Sequence, residues 1–450
     1  MFDRTQLVFA GMSIALSVQL SQPVAEAAPA GKVVQTSQTN SSDAATKAVK
    51  EGAQLYNQGT AEAKRGAIVK LEEALKLYRE AGDNRGQALS LFLIGKIYSE
   101  LGEKQKALEF YSQSLPLSRA LGDRSWEANT LHNIGQVYSQ LREKQKALEF
   151  YSQSLPLSRA TGDRRGEATT LYNIGSVYSD FGEKQKALEF YSQSLPLSRA
   201  TGDRTQEART LTNIGTVYSE LGEQQKALEY LGQSLSLSRV LGDRGREASS
   251  LNNIGSVYSY LGEKQKALEY FSQSLPLSRA IDDRSQEATT LNNIGTVYSY
   301  LGEKLKALEY YSQSLPLSRA VGDRSQEADT LNNIGTVYSQ LGEKQKALDY
   351  YTQSLSLKGA IGDRGGEASS LNNIGLVYSE LGEQQKALEY YSQSLPLSRA
   401  TGDRPGEATT LNNIGNVYSQ LGEQQKALDY YTQSLPLSRA TGDRPGEATT

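Results

Sequence analysis

The chain has 450 residues, 38% of them apolar, and carries 48 Lys and Arg against 51 Asp and Glu, a formal net charge of −3. So even a balance offers no electrostatic footprint for nucleic acid or an anionic membrane. Cysteine is absent and histidine occurs once, at His132, which excludes disulfides, thiolate metal sites, cysteine nucleophiles, a paired-imidazole zinc site and a hydrolase triad within these residues. No catalytic residue, no metal and no cofactor is expected.

In chain order, Arg4 precedes an apolar run from Leu7 to Leu20, and Ala25-Glu26-Ala27 then supplies the small-x-small pattern that a signal peptidase reads. Residues 1–27 are therefore read as a signal peptide for an exported protein, periplasmic or extracellular; the run falls short of the ~20 residues a membrane-spanning helix needs. A buried amino-terminal helix is the alternative. Residues 28–42, rich in Ala, Ser, Thr and Gln, cannot bury a core and are expected to form a disordered leader. Residues 43–82 read as a degenerate amino-terminal capping repeat, in which Ala67, Leu71, Ala74, Leu75 and Leu77 align with Ala107, Tyr111, Ser114, Leu115 and Leu117.

From residue 83 to 442 the sequence repeats every forty residues in nine units, as Tyr98, Tyr138, Tyr178 and their period mates through Tyr418 show. A period of this size means stacked supersecondary units. Within 123–162 the pattern predicts one helix from about Arg124 to Leu141 and a second from about Lys144 to Ala160. Gly162 suits the left-handed position that closes a helix, and Asp163 suits the cap that opens the next. Arg142 stands at a hinge where Gly102 and Gly182 stand in neighbouring units.

At 100° per residue, Ala128, Leu131, Ile134, Gly135, Val137, Tyr138 and Leu141 share one face of the first helix, opposite Asn129, His132, Asn133, Gln136, Ser139 and Gln140. In the second helix Ala147, Leu148, Tyr151, Ser154, Leu155 and Ser158 face inward, while Pro156 lies at the centre of the wet face. A mid-helix proline costs about 3 kcal/mol. Here the carbonyl it frees, that of Ser152, faces water, so the sequence predicts a bend and not a stop.

Leu131-x-x-Ile134-Gly135-x-x-Tyr138 followed by Ala147-x-x-x-Tyr151 resembles the tetratricopeptide repeat, over about residues 43–450. The forty-residue period departs from the common thirty-four. It is similar to the extended-helix class found in spindle-orientation adaptors of animal cells and in many repeat proteins of photosynthetic bacteria, secreted ones included. The resemblance implies an all-α fold, a right-handed superhelical solenoid of antiparallel helix pairs, with the first helices lining a concave surface. Residues 443–450 read as the truncated start of a further repeat, so the chain is expected to be a fragment. The resemblance further implies a downstream effector, since in similar bacterial proteins such arrays are often joined to caspase-like protease domains.

On the implied concave face, one polar column runs through His132, Tyr172, Thr212, Asn252, Asn292, Asn332, Asn372 and Asn412. A second runs through Asn133, Asn173, Asn213, Asn253, Asn293, Asn333, Asn373 and Asn413. Paired carboxamides suit the main chain of an extended peptide; ten helices at roughly 8–10 Å give on the order of 90 Å of groove, or about 25 extended residues. The competing role for these amides is bonding to the adjacent helix. Tyr260 and Tyr300, at a groove-edge position that is polar in other units, are candidates for specificity. Three functions follow: a scaffold binding a protein or peptide, the sensing part of a larger enzyme, or a spacer that self-associates end to end. Neither nucleic acid nor an integral membrane segment in the mature chain is expected.

Overall fold

A computed structural model describes the chain from Lys32 to Thr441, and its side chains from residue 42 to 439. The signal peptide expected over 1–27 and the repeat start expected over 443–450 lie outside the described residues. The described residues are α-helical throughout, joined by short turns. A first pair comprises α1 (Lys32–Tyr56) and α2 (Ala61–Ala81). Each forty-residue unit then contributes an A helix and a B helix. The A helices are α3 (Asn84–Glu100), α5 (Arg124–Gln140), α7 (Arg164–Asp180), α9 (Arg204–Glu220), α11 (Arg244–Tyr260), α13 (Arg284–Tyr300), α15 (Arg324–Gln340), α17 (Arg364–Glu380) and α19 (Arg404–Gln420). The B helices are α4 (Lys104–Ala120), α6 (Lys144–Thr161), α8 (Lys184–Ala200), α10 (Gln224–Leu241), α12 (Lys264–Ala280), α14 (Lys304–Val321), α16 (Lys344–Ile361), α18 (Gln384–Thr401) and α20 (Gln424–Thr441). The chain divides into two compact units at Asn213 and Ile214, within α9.

The leader expected over 28–42 is helical from Lys32 onward. α1 is anchored by Ala45 and Ala48, which pack with Ala74 and Tyr78 of α2. A helix nucleated by such packing propagates at little cost into Ala- and Ser-containing sequence that has no core of its own.

The turns behave as the spacing predicts. Gly162 has φ 71°, and the N–H groups of Gly162 and Asp163 donate to the carbonyls of Arg159 and Ser158. The Asp163 carboxylate accepts from the N–H of Gly166 at 2.9 Å, capping α7. Two hinges lack glycine: Arg142 (φ 61°) and Asp282 (φ 53°) hold the left-handed conformation without it, which costs of order 1 kcal/mol each. The prolines do not stop their helices; Pro116, Pro156 and Pro196 lie inside α4, α6 and α8.

No repeat closes its own core. Ala107 and Tyr111 of α4 cluster with Ile134 and Val137 of the following A helix, α5, and Ala147 and Tyr151 of α6 with Ile174 and Val177 of α7. Tyr138 packs against both clusters, half-buried and stacked on Phe150 with ring centroids 5.4 Å apart, so it bridges neighbours. Glycine lets A and B helices of one repeat approach: a Cβ on Gly135 would sit 2.8 Å from the Tyr151 ring. A buried serine then ties the pair, as the Ser154 hydroxyl donates to the carbonyl of Ala128 at 2.8 Å and Ser314 repeats this to Ala288.

Candidate functional site

The two polar columns meet between successive A helices and bond to each other. In the second unit the Nδ2 of Asn293 donates to Oδ1 of Asn252 at 3.1 Å, Asn333 to Asn292 at 3.2 Å, Asn373 to Asn332 at 3.1 Å and Asn413 to Asn372 at 3.2 Å. Asn253 begins the series by donating to Thr216. Threonine hydroxyls reinforce it, Thr330 donating to Asn292 and Thr410 to Asn372. The second column is thus a set of donors to the first, one repeat back.

This arrangement satisfies only half of each amide. Asn292, Asn332 and Asn372 retain an Nδ2 with no acceptor among the described residues, and Asn293, Asn333 and Asn373 retain an Oδ1 with no donor. All six are half-buried, whereas Asn252 is 5% exposed. One face of the second unit therefore presents a free donor and a free acceptor per repeat, held in place by the bonds that use the other halves. Both structural bonding and an open polar surface exist at once.

In the first unit the same positions carry other chemistry. His132 takes the place of Asn292: its Nδ1 lies 2.9 Å from Thr170 Oγ1 and its Nε2 3.2 Å from Asn173 Nδ2, the same pair of partners one repeat on. Burial pushes the imidazole pKa down to about 4, against a smaller upward pull from Asp163. Asn213 donates to the hydroxyls of Tyr172 and Tyr191. Two basic residues of the A helices are engaged as well, Arg209 over the Tyr172 ring at 4.7 Å and Lys96 over Tyr56 at 5.6 Å. The lone Trp126 meets Phe92 of the preceding A helix edge-on, at 6.5 Å.

Tyr260 and Tyr300 are 75% and 71% exposed at the ends of α11 and α13. Lys264 lies over the Tyr300 ring at 4.5 Å, so that ring is oriented by the preceding repeat. The structure does not bring either tyrosine into hydrogen-bond contact with the amide series. Asp123 and Asp163 cap helices, and the ion pair across the loop is made by an earlier residue, Arg119 to Glu127 and Arg159 to Glu167, both at 2.7 Å. Among the described residues no group of three or more His, Cys, Asp or Glu is placed to hold a metal, and no helix is long and apolar enough to cross a membrane.

The tetratricopeptide repeat profile matches residues 66–120, 105–160, 126–200, 166–239, 206–280, 286–360 and 366–440. The chain belongs to the tetratricopeptide repeat family. A search of curated protein sequences gives no match. Among solved structures, a signal-transduction ATPase with numerous domains and a tetratricopeptide repeat sensor, from Pyrococcus horikoshii, is 14% identical with a TM-score of 0.60, over 99% of this chain and 71% of that one. The apo quorum sensor NprR from B. thuringiensis is 16% identical, TM-score 0.57, over 76% and 98%. A Rap protein complexed with Competence and Sporulation Factor is 15% identical, TM-score 0.56, over 80% and 99%. These likenesses concern the fold: a tetratricopeptide repeat array of helix pairs.

Proposed function

We propose that this protein is an interaction scaffold that holds an extended polypeptide against the A-helix face of its second unit. The observation that carries the reading is the alternation of unpaired Nδ2 and Oδ1 atoms along Asn292, Asn293, Asn332, Asn333, Asn372 and Asn373. An extended main chain offers N–H and C=O groups in the same alternation. Five A helices at roughly 8–10 Å spacing make a track of about 40 Å, enough for about 12 extended residues. Family membership and the likeness to a sensor region, a quorum sensor and a factor-bound Rap protein support a scaffold with an interaction or regulatory role. Tyr260 and Tyr300 would add side-chain selectivity at the edge of the track. Arg4, the apolar run to Leu20 and Ala25-Glu26-Ala27 support export as the setting, which amino-terminal sequencing of the mature protein would test.

The test of the track is the triple variant Asn292→Asp, Asn332→Asp and Asn372→Asp. Aspartate keeps the oxygen that accepts from the neighbouring repeat and turns the free donor into an anionic acceptor. Random 12-residue peptides displayed on phage and enriched on the wild-type chain should be retained about tenfold less by the variant, at unchanged helicity. Equal retention would count against the amide track.

A further inference from the structure

The loops from B helix to next A helix carry one ion pair with great regularity. Arg119, Arg159, Arg199, Arg239, Arg279, Arg319 and Arg399 each place Nε 2.6–2.8 Å from a carboxylate oxygen of the glutamate eight residues on. In three of these the guanidinium also reaches a glutamine of the next B helix, Arg119 to Gln153, Arg159 to Gln193 and Arg279 to Gln313, at 3.2–3.5 Å. Between α16 and α17 the arginine is missing. Gly359 stands in its place, the Glu367 carboxylate has no partner among the described residues, and Gln393 keeps a free Oε1. A Cβ added at Gly359 meets nothing within 4 Å, so no neighbour has moved in over the backbone where the sibling side chains start.

The neighbouring cation does not fill it. Lys358, where the siblings have serine, is 5% exposed and turned toward Asp329 at 2.5 Å and Asp363 at 2.8 Å, with no ion pair to Glu367. Gly366 makes room for it, since a Cβ there would lie 2.5 Å from Lys358 Cδ. The departures at 329, 358 and 359 therefore act together, with a glycine at 366 that siblings at 166 and 406 share: the local lysine is drawn inward, and the Glu367 carboxylate is left without the guanidinium that its siblings hold.

We infer that Glu367 and Gln393, with the gap over Gly359, form a docking site for a monosubstituted guanidinium brought from outside the chain. The seven sibling connections display the bound arrangement, because the same glutamate holds a guanidinium in each. A planar fork suits this pair of oxygens; an ammonium does not reproduce it. The site lies at a B-to-A loop and stands independently of the amide track.

Isothermal titration of the full chain with ethylguanidinium, with ethylammonium, and with the blocked tripeptide Gly-Arg-Gly tests the inference at constant ionic strength. Wild type should bind ethylguanidinium saturably and ethylammonium about tenfold more weakly. Gly359→Arg, which restores the sibling pair, should abolish binding while raising the melting temperature, and Glu367→Gln should weaken it about tenfold. Tighter binding of the tripeptide than of ethylguanidinium assigns the site to an arginine of a polypeptide partner; equal binding assigns it to a small guanidino compound. Absence of saturable binding in wild type, or binding by Gly359→Arg at the wild-type level, would overturn the inference.

Discussion

Replacing His132 by asparagine should leave stability at neutral pH nearly unchanged and remove an acid-side loss of stability from the first unit. Asn292 accepts from Asn333 and Thr330, and His132 meets the corresponding residues one repeat on, Asn173 through Nε2 and Thr170 through Nδ1. Because Asn173 Nδ2 only donates, Nε2 must accept, which leaves the ring proton on Nδ1 and the ring neutral. Protonation would set two donors against each other in a half-buried place. The ordinary pKa of 6.5 is lowered by burial to about 4 in the folded chain. With the folded value below the unfolded one, the unfolded state binds the proton first as pH falls. The contribution is complete above pH 6.5 and is lost progressively down to pH 4. One group in that window changes stability by ~1.4 kcal/mol per pH unit, which accumulates to on the order of 3 kcal/mol by pH 4. Repeat arrays do not unfold as one unit; amide hydrogen exchange of α5 and α7 at stepped pH, wild type against His132→Asn, reads the local effect. As the chain has one histidine, its imidazole proton resonance titrates without ambiguity. A midpoint near 6.5, or identical pH profiles for the two proteins, would refute the argument; the second outcome would mean that the Asn173 amide turns to accept from the imidazolium.

Other substitutions probe the packing. Gly335→Ala places a Cβ 2.8 Å from the Tyr351 ring and should destabilise by about 1–3 kcal/mol through overpacking, less ~1 kcal/mol of helix propensity. Gly232→Ala, with nothing within 4 Å, should instead raise the urea midpoint by the equivalent of up to ~1 kcal/mol; a common sign for both variants would contradict the wedge. Ser314→Ala loses the buried bond to the Ala288 carbonyl and should cost about 1 kcal/mol in the same assay. Burial pushes the Lys358 pKa down, but hydrogen bonds to Asp329 and Asp363 hold it above 10.5 overall; burial likewise raises Asp363, but Lys358 and the Gly366 N–H bring it below 3.8. The pair's stabilisation is therefore full between those values, lost as pH rises through the lysine's folded value or falls through the aspartate's. Lys358→Met should flatten both limbs of the exchange profile of α16 and α17.

The repeat period, the helix pairs and their punctuation were legible from residues alone, because Gly162 and Asp163 act through local backbone chemistry and the Leu131, Ile134, Val137 stripe has one helical phase. Pro156 was legible for the same reason: its outward phase shows that the freed carbonyl meets water. The extent of α1 was not, since composition over 28–42 says nothing of a helix propagated from Ala45 and Ala48. A helical wheel puts Asn292 and Asn333 on corresponding faces of two helices, yet it cannot show that residues 41 apart meet, nor which half of each amide is consumed. That depends on the rotation between repeats. The Arg119-to-Glu127 pair and its absence at Gly359 were recoverable by aligning the units against each other, a comparison in which Gly359, Lys358 and Asp329 stand out together. The Ser154 bond to Ala128 had only a weak signal, a small polar residue on an inward face.

Asn413, Asn373, Asn333 and Asn293 each hand a hydrogen in the same sense, toward the amino-terminal neighbour, so the series has a head and a tail. Such a row is vectorial: its dipoles add, and reversing a strand laid beside it exchanges which end meets the positive pole. If the proposed track holds a strand, its two orientations would be unequal in energy, and the array would bias direction before any side chain of the guest is read.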